Sequence, residues 1–215
     1  MKNQQLKINE IFYSLQGESS RIGIPTIFIR LTGCPMRCNY CDTAYAFKDG
    51  KNLSFDEIIN EIKQYKTKFI TVTGGEPLAQ KPCKEFLTML SELGYEVSLE
   101  TGGALSIDGI NEKIKIILDI KTPGSGEVEN NYWDNFSLIK EDDEIKIVIT
   151  SEDDYQWAKK IIKDKKLYKN YDILFSPSHG DVDPDRLAQW ILKDNLNVRM
   201  QMQLHKIIWG DKKGV

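Results

Sequence analysis

Residues 26–43 read TIFIRLTGCPMRCNYCDT. The first part, Thr26–Leu31, is a nearly continuous apolar run, the pattern of a strand buried on both faces. The remainder is a turn-rich loop leaving the C-terminal end of that strand. In α/β folds the chemistry gathers at the C-terminal ends of parallel strands. Working outward, strand-like runs recur at Phe69–Thr73, Glu96–Glu100, Lys115–Ile120, Glu144–Ile149, Asp172–Phe175 and Val198–Leu204. Amphipathic stretches separate them. Ser54 and Glu57 form a capping box ahead of Ile58, Ile59 and Ile62. A second helix begins after Lys81 and ends at Gly94, a C-cap. Ser151 and Asp154 open a third, which carries Trp157, Ala158, Ile161 and Ile162. Asp183-Pro184 opens a fourth, with an N-cap followed by proline at the first helical position.

A β-α order repeated about six times predicts parallel strands joined by right-handed crossovers. An open doubly wound sheet and a barrel both satisfy that order. A full eight-fold barrel typically takes about 250 residues. With 215 residues, the reading is an α/β fold: a partial TIM-type barrel of about six β-α units, in one domain spanning 1–215. The formal net charge is -3 and the pI about 5.6. The chain thus lacks the basic surplus of a nucleic-acid-binding protein, although a local basic patch stays open. The segment MKNQQLKINEIF has no apolar signal core, and no run is long enough to cross a bilayer. The expectation is a cytoplasmic protein with no nucleic-acid or membrane partner.

Cys34, Cys38 and Cys41 stand in a C-x3-C-x2-C pattern, while Cys83 lies apart in KPCKEFLTML. Cysteines so close are poor disulfide candidates in a reducing compartment. Cys83, at the first turn of the second helix, reads as a packed thiol. Soft thiolates select iron–sulfur clusters, zinc or copper(I). A closed zinc site or a simple ferredoxin cluster wants four protein ligands. Here there are three, and His179 and His205 are far away in sequence. Three thiolates on three irons of a 4Fe-4S cluster leave the fourth iron open to an external molecule. A zinc knuckle that borrows Cys83 or a histidine is the competing reading.

The next strand runs into Gly74-Gly75-Glu76-Pro77. A glycine pair lets backbone approach a ligand closely, and the Glu76 carboxylate is an acceptor for an ammonium group. Later strand ends carry Glu100-Thr101-Gly102-Gly103, Asp119-Ile120-Lys121-Thr122-Pro123 and Ser176-Pro177-Ser178-His179-Gly180. Any one of these is an ordinary βα turn. Their recurrence at successive strand ends marks a rim.

The cysteine loop, with Tyr40 before its third cysteine and GGEP one β-α unit later, resembles that of radical S-adenosylmethionine (SAM) enzymes. The resemblance implies that the open iron binds the amino and carboxylate groups of SAM. Reductive cleavage then yields a 5'-deoxyadenosyl radical that abstracts hydrogen. It further implies SAM contacts from Tyr40, Cys41, Asp42, Gly74, Gly75, Glu76 and Gly103, with Lys121, Ser176 and His179 bordering the cofactor.

Other segments narrow the resemblance. NEIFYSLQGE at 9–18, Arg30, the CDT ending at Thr43 and QLHKIIWG at 203–210 are similar to the 7-carboxy-7-deazaguanine synthase family. The likeness runs from about Ile8 to Gly214. It implies 6-carboxy-5,6,7,8-tetrahydropterin as substrate, ring contraction with loss of ammonia, and SAM regenerated as a cofactor. It places Leu15, Gln16, Gly17, Arg30 and Thr101 on the substrate, with the Val215 carboxylate nearby. It gives Mg2+ the Thr43 hydroxyl, a hard oxygen ligand suited to that ion. It also implies a flavodoxin- or ferredoxin-type reductant and a homodimer. No acidic residue stands out as a local mate for Arg30, so its fork is expected to take the substrate carboxylate. Read alone, Arg30 is also an ion-pair arginine, Thr43 a cap, Gln16 and Glu18 loop polar residues, and His205 a core histidine. The alternatives are a glycyl-radical-enzyme activating enzyme and an iron–sulfur electron carrier.

Overall fold

Period-2 alternation along the strands divides the molecule into an outer apolar layer and a polar interior. The computed structural model describes residues 4–167 and 171–215. Among the described residues, nine strands form one sheet: β1 (Gln5–Leu15), β2 (Pro25–Leu31), β3 (Lys51–Ser54), β4 (Phe69–Gly74), β5 (Glu96–Thr101), β6 (Lys115–Ile120), β7 (Glu144–Ile149), β8 (Asp172–Pro177) and β9 (Arg199–Met200). Their order is β3-β1-β2-β4-β5-β6-β7-β8-β9. From β2 onward through β4 to β9 every pairing is parallel. Because β3 and β9 form separate edges, the sheet does not close on itself. The α/β, partial TIM-type reading holds.

Ile27, Ile29 and Leu31 of β2 point outward, as do Ile70 and Val72 of β4 and Val97 and Leu99 of β5. Helices α1 (Phe55–Ile62) and α2 (Cys83–Glu92) cover them. The Ser54 side chain and Glu57 close both halves of the predicted capping box. A second apolar cluster joins β6–β8 to α3 (Glu152–Asp164) and α4 (Pro184–Lys193), with Tyr155, Phe175 and Leu187 at its centre. Each fully buried Ile, Leu or Phe contributes roughly 1.5–3 kcal/mol. Ser151 caps α3 through Asp154 N, and Asp183 caps α4 through Asp185 N. Of the six crossovers between parallel strands, four carry an α-helix. The β5–β6 link is a loop, and the β6–β7 link is made of short 3-10 turns over Pro123–Ser125, Val128–Asn130 and Trp133–Ser137.

Two expectations need correction. The strand expected over Val198–Leu204 is only the two-residue β9. Gln201 N makes the last ladder bond, to Phe175 O at 2.9 Å, and its side chain bridges Ser19 N, at 2.8 Å, and Ser176 Oγ, at 3.0 Å. Leu204 then opens helix α5 (Leu204–Trp209), its N–H donating to Gly17 O at 3.0 Å. The antiparallel extension β3-β1 was not anticipated. NEIFYSLQGE reads as a motif, yet most of it is a strand that pairs Glu10 with Arg30 and Phe12 with Phe28.

Candidate active site

The inward residues of the same strands line one cavity of about 710 Å³, and the loops at the strands' C-terminal ends form its rim. Cys34, Cys38 and Cys41 lie on this wall, partly exposed, whereas Cys83 is fully buried in the α2 core. The fourth cysteine is therefore not a ligand to a knuckle formed with the other three. Backbone bonds hold the loop open: Gly33 N to Ala46 O at 2.8 Å, Asn39 N to Ser125 O at 2.9 Å, and Glu76 N to Gly33 O at 2.7 Å. Arg37 folds back onto the carbonyls of Cys34 and Met36, at 2.8 and 2.6 Å.

The GGEP turn packs directly on this loop. A Cβ on Gly75 would lie 2.2 Å from Gly33 O and 2.9 Å from Cys34 Cβ. Only glycine permits that approach. Burial pushes the Cys34 thiol up and the Cys38 thiol up to about 11. The thiolate is the metal ligand, so metal binding must displace these protons. Among the described residues, no three His, Cys, Asp or Glu side chains converge on the spacing of a single ion. Beside the loop, Tyr40 OH and Asp119 Oδ1 are buried and find no hydrogen-bond partner among the described residues. Lys121 pairs with the other Asp119 oxygen at 2.9 Å and lies 5.7 Å from the Tyr40 ring centroid. Three thiolates, a glycine-backed wall and orphaned polar atoms fit a cluster with a polar cofactor beside it.

Two residues expected at the cofactor do not reach the cavity. Glu76 is fully buried behind the wall, and its carboxylate accepts from Leu78 N at 3.0 Å, Gly102 N at 2.7 Å and Thr101 Oγ1 at 2.9 Å. It ties the β4 and β5 turns together, and burial raises its pKa. Gly103 turns away from the cavity at φ +74°, and its carbonyl accepts from Tyr132 N at 2.9 Å. Gly74, Gly75, Asp42, Lys121, Ser176 and His179 do line the cavity.

The barrel interior supplies the other end of the site. Leu15, Gln16, Gly17, Arg30, Thr43, Thr101 and Val215 all line the same cavity as the cysteines. Gln16 Nε2 donates to Thr71 Oγ1 at 3.0 Å and Glu100 Oε1 at 3.3 Å, while its Oε1 accepts from Glu18 N. Thr43 occupies the cap position of a short 3-10 turn, but its hydroxyl makes no capping bond. The cap reading fails, and the hydroxyl lies 3.9 Å from Cys41 Sγ. Gly17 backs onto His205, where an added Cβ would sit 2.2 Å from Nδ1. Burial lowers the His205 pKa and favours the neutral ring.

The expected isolation of Arg30 is wrong. Its Nε donates to Glu10 Oε1 at 2.7 Å, and Tyr45 OH donates to the same oxygen at 2.7 Å. Glu10 is the cross-strand neighbour that sequence alone did not pair with it. Among the described residues this is the only hydrogen bond the Arg30 side chain makes, and the residue lines the cavity.

Residues 28–123 match the Radical SAM superfamily. The 7-carboxy-7-deazaguanine synthase of Chlorobaculum tepidum is 45% identical over 214 residues, covering 98% of this chain and 97% of that protein. That of Thermoplasma acidophilum is 35% identical, covering 97% and 99%. This chain belongs to the 7-carboxy-7-deazaguanine synthase family. QueE from Escherichia coli superposes with a TM-score of 0.77 at 22% identity, covering 94% of this chain and 95% of that one, and so shares the fold. SuiB from Streptococcus suis, bound to S-adenosylmethionine, gives 0.56 at 15% identity over 83% of this chain and 50% of its own.

For this family member, a radical SAM enzyme, the structure adds cavity residues to which the sequence reading gave no site role: Glu18, Glu100, Asp119, Lys146 and Gln203. Glu18 pairs with Lys146, and Gln203 Nε2 donates to Glu18 Oε1 at 2.8 Å. Burial alone would raise the Glu18 pKa, but Lys146 outweighs it and holds the carboxyl below its usual value. Burial raises that of Glu100. The available signal was a charge inside an apolar strand: Asp119 in KIILDI, Lys146 in EIKIVI and Glu100 in EVSLET. Each sits at an inward position of its strand.

Proposed function

We propose that this protein converts 6-carboxy-5,6,7,8-tetrahydropterin to 7-carboxy-7-deazaguanine with loss of ammonia. The observation that carries the reading is a single cavity lined both by the three cysteines and by Arg30, Gln16, Thr43 and Thr101. The near full-length family likeness supports it. When bound, the cluster and SAM supply a 5'-deoxyadenosyl radical that takes hydrogen from C6 of the pterin.

The residues of this chain bind and orient. Arg30, steadied by Glu10, offers its terminal nitrogens to the substrate carboxylate as a fork. Gln16, fixed by Thr71 and Glu100, presents its amide to the ring's polar edge. Tyr40 and Lys121 border SAM, and the Gly74-Gly75 backbone allows its close approach. Thr43 gives its hydroxyl to Mg2+, which keeps few protein ligands. Placement of this quality matters, since small misplacement of reacting atoms costs about 100-fold in rate. The reading includes a flavodoxin- or ferredoxin-type reductant, a homodimer, one domain and a cytoplasmic setting. Among the described residues, no helix is long and apolar enough to cross a membrane.

The test is anaerobic incubation of the cluster-loaded protein with SAM, a reductant, Mg2+ and the carboxytetrahydropterin. Mass spectrometry should find a product lighter than the substrate by one ammonia. SAM cleavage with the pterin left intact would instead point to an activating enzyme.

A further inference from the structure

Lys146 stands on β7 and pairs with the carboxylate of Glu18, from the loop after β1. Their side chains are only 16% and 11% exposed, and both line the cavity. Gln203 fixes the second Glu18 oxygen at 2.8 Å. The other ionisable groups around the pair are Glu100 from β5, Asp119 from β6, His205 from α5 and Tyr40 from the cysteine loop. A buried ion pair adds little net stability over an apolar pair. One turned toward a substrate cavity is a candidate for chemistry.

The inference rests on the conversion proposed above, whose stoichiometry demands an acid and a base. Substrate and product differ by one ammonia. The departing nitrogen is bonded to two ring carbons and carries one hydrogen. In the radical stage the C6–H bond and one C–N bond are exchanged for the C–C bond that contracts the ring and an N–H bond, which leaves an amine on the new ring. The elimination that follows breaks one C–H bond, whose electron pair enters the new double bond, and the remaining C–N bond, whose pair stays on nitrogen. In that elimination carbon loses a proton and nitrogen gains one, with no net change of electrons.

We propose that Glu18 and Lys146 are the acid–base pair for this ammonia loss. The Glu18 carboxylate takes the proton from carbon, and the Lys146 ammonium gives one to the departing nitrogen. The hydrogen bond between them then returns the proton from carboxyl to amine, which resets both. Their charge states suit these roles: Lys146 keeps the Glu18 carboxylate ionised. Burial opposes the Lys146 charge, but Glu18, Asp119 and Glu100 together hold the group protonated.

The experiment uses cluster-loaded wild type, Lys146→Arg and Lys146→Gln, with substrate deuterated at C6. Lys146→Arg preserves charge and pairing, but a guanidinium does not give up its proton. Substrate binding, deuterium appearing in SAM, and ammonia are measured together. The proposal predicts binding and deuterium transfer near wild type in the arginine variant, with ammonia release down about 100-fold or more in both. It is overturned if Lys146→Arg releases ammonia at near the wild-type rate. It is equally overturned if deuterium transfer falls in step with ammonia, because the pair then only shapes the pocket. Absence of ammonia from the wild type would refute the conversion itself, a different result.

Discussion

Glu10 and Arg30 are register partners across the antiparallel pair β1–β2, and Arg30 Nε donates to Glu10 Oε1 at 2.7 Å. The pairing turns Arg30 from an unpaired charge into a fixed one. Tyr45 OH braces the same carboxylate, and the Phe12 and Tyr45 rings lie 5.8 and 5.9 Å from the guanidinium carbon.

Glu10→Gln should therefore weaken substrate binding without touching the substrate. We expect KM to rise about 10-fold with a smaller change in kcat, since a charge-assisted bond worth roughly 1.5–3 kcal/mol positions the fork. Arg30→Lys should lose more, because one ammonium cannot serve both Glu10 and a carboxylate in the fork geometry. Steady-state kinetics at matched cluster content checks both; an unchanged KM in Arg30→Lys would assign the residue to the scaffold.

Cys34→Ala, Cys38→Ala or Cys41→Ala should each abolish SAM cleavage. Cys83→Ala should keep it and lower stability by about 1 kcal/mol, the loss of one buried apolar group. Iron and sulfide analysis alongside denaturant unfolding separates the two classes. A Cys83→Ala protein that folds but cannot assemble its cluster would contradict the site as drawn.

Thr43 makes no capping bond, so Thr43→Ala should leave fold, cluster and SAM binding intact. Turnover should fall, and the Mg2+ concentration for half-activation should rise. Titrating Mg2+ against both proteins decides it: superimposable curves would remove Thr43 from the metal site.

Stability should respond to pH through Glu18. Its folded-state pKa is lowered below 4.5 by Lys146 against the opposing effect of burial. The stabilisation is thus present above that value and lost as pH falls through the lower folded-state value. Glu18→Gln breaks a buried pair and should cost about 3 kcal/mol near neutrality, or roughly 6–12 °C in Tm for a chain of this size. The gap between wild type and Glu18→Gln should shrink as pH falls below about 4.5. A gap constant from pH 7 to pH 3.5 would show that the pair contributes no ionic stabilisation.

The parallel strands and the helices between them were legible because each element carries its own signal. Lys115–Ile120 and Glu144–Ile149 are short runs dominated by isoleucine, leucine and valine, and Ser54–Glu57 is a capping box with both halves made. The cysteine loop was legible because three thiols in eight residues have few other uses. What stayed hidden depends on pairing across the sheet. The Glu10–Arg30 contact needs the β1–β2 register, and Glu18–Lys146 joins residues 128 positions apart. The positions of Glu76 and Gly103 behind the wall were hidden for a related reason: a motif names residues near a ligand, but not which side of the wall they face. Glu76 faces the β5 turn and organises it.

The most direct test of the account is a mass balance on the cluster-loaded enzyme supplied with SAM, reductant, Mg2+ and 6-carboxy-5,6,7,8-tetrahydropterin. Ammonia, 7-carboxy-7-deazaguanine and residual SAM are quantified over many turnovers. The account predicts that ammonia and product rise in equal amounts while SAM stays nearly constant, as befits a regenerated cofactor. SAM consumed in step with the pterin, or pterin recovered unchanged while SAM is cleaved, would contradict it.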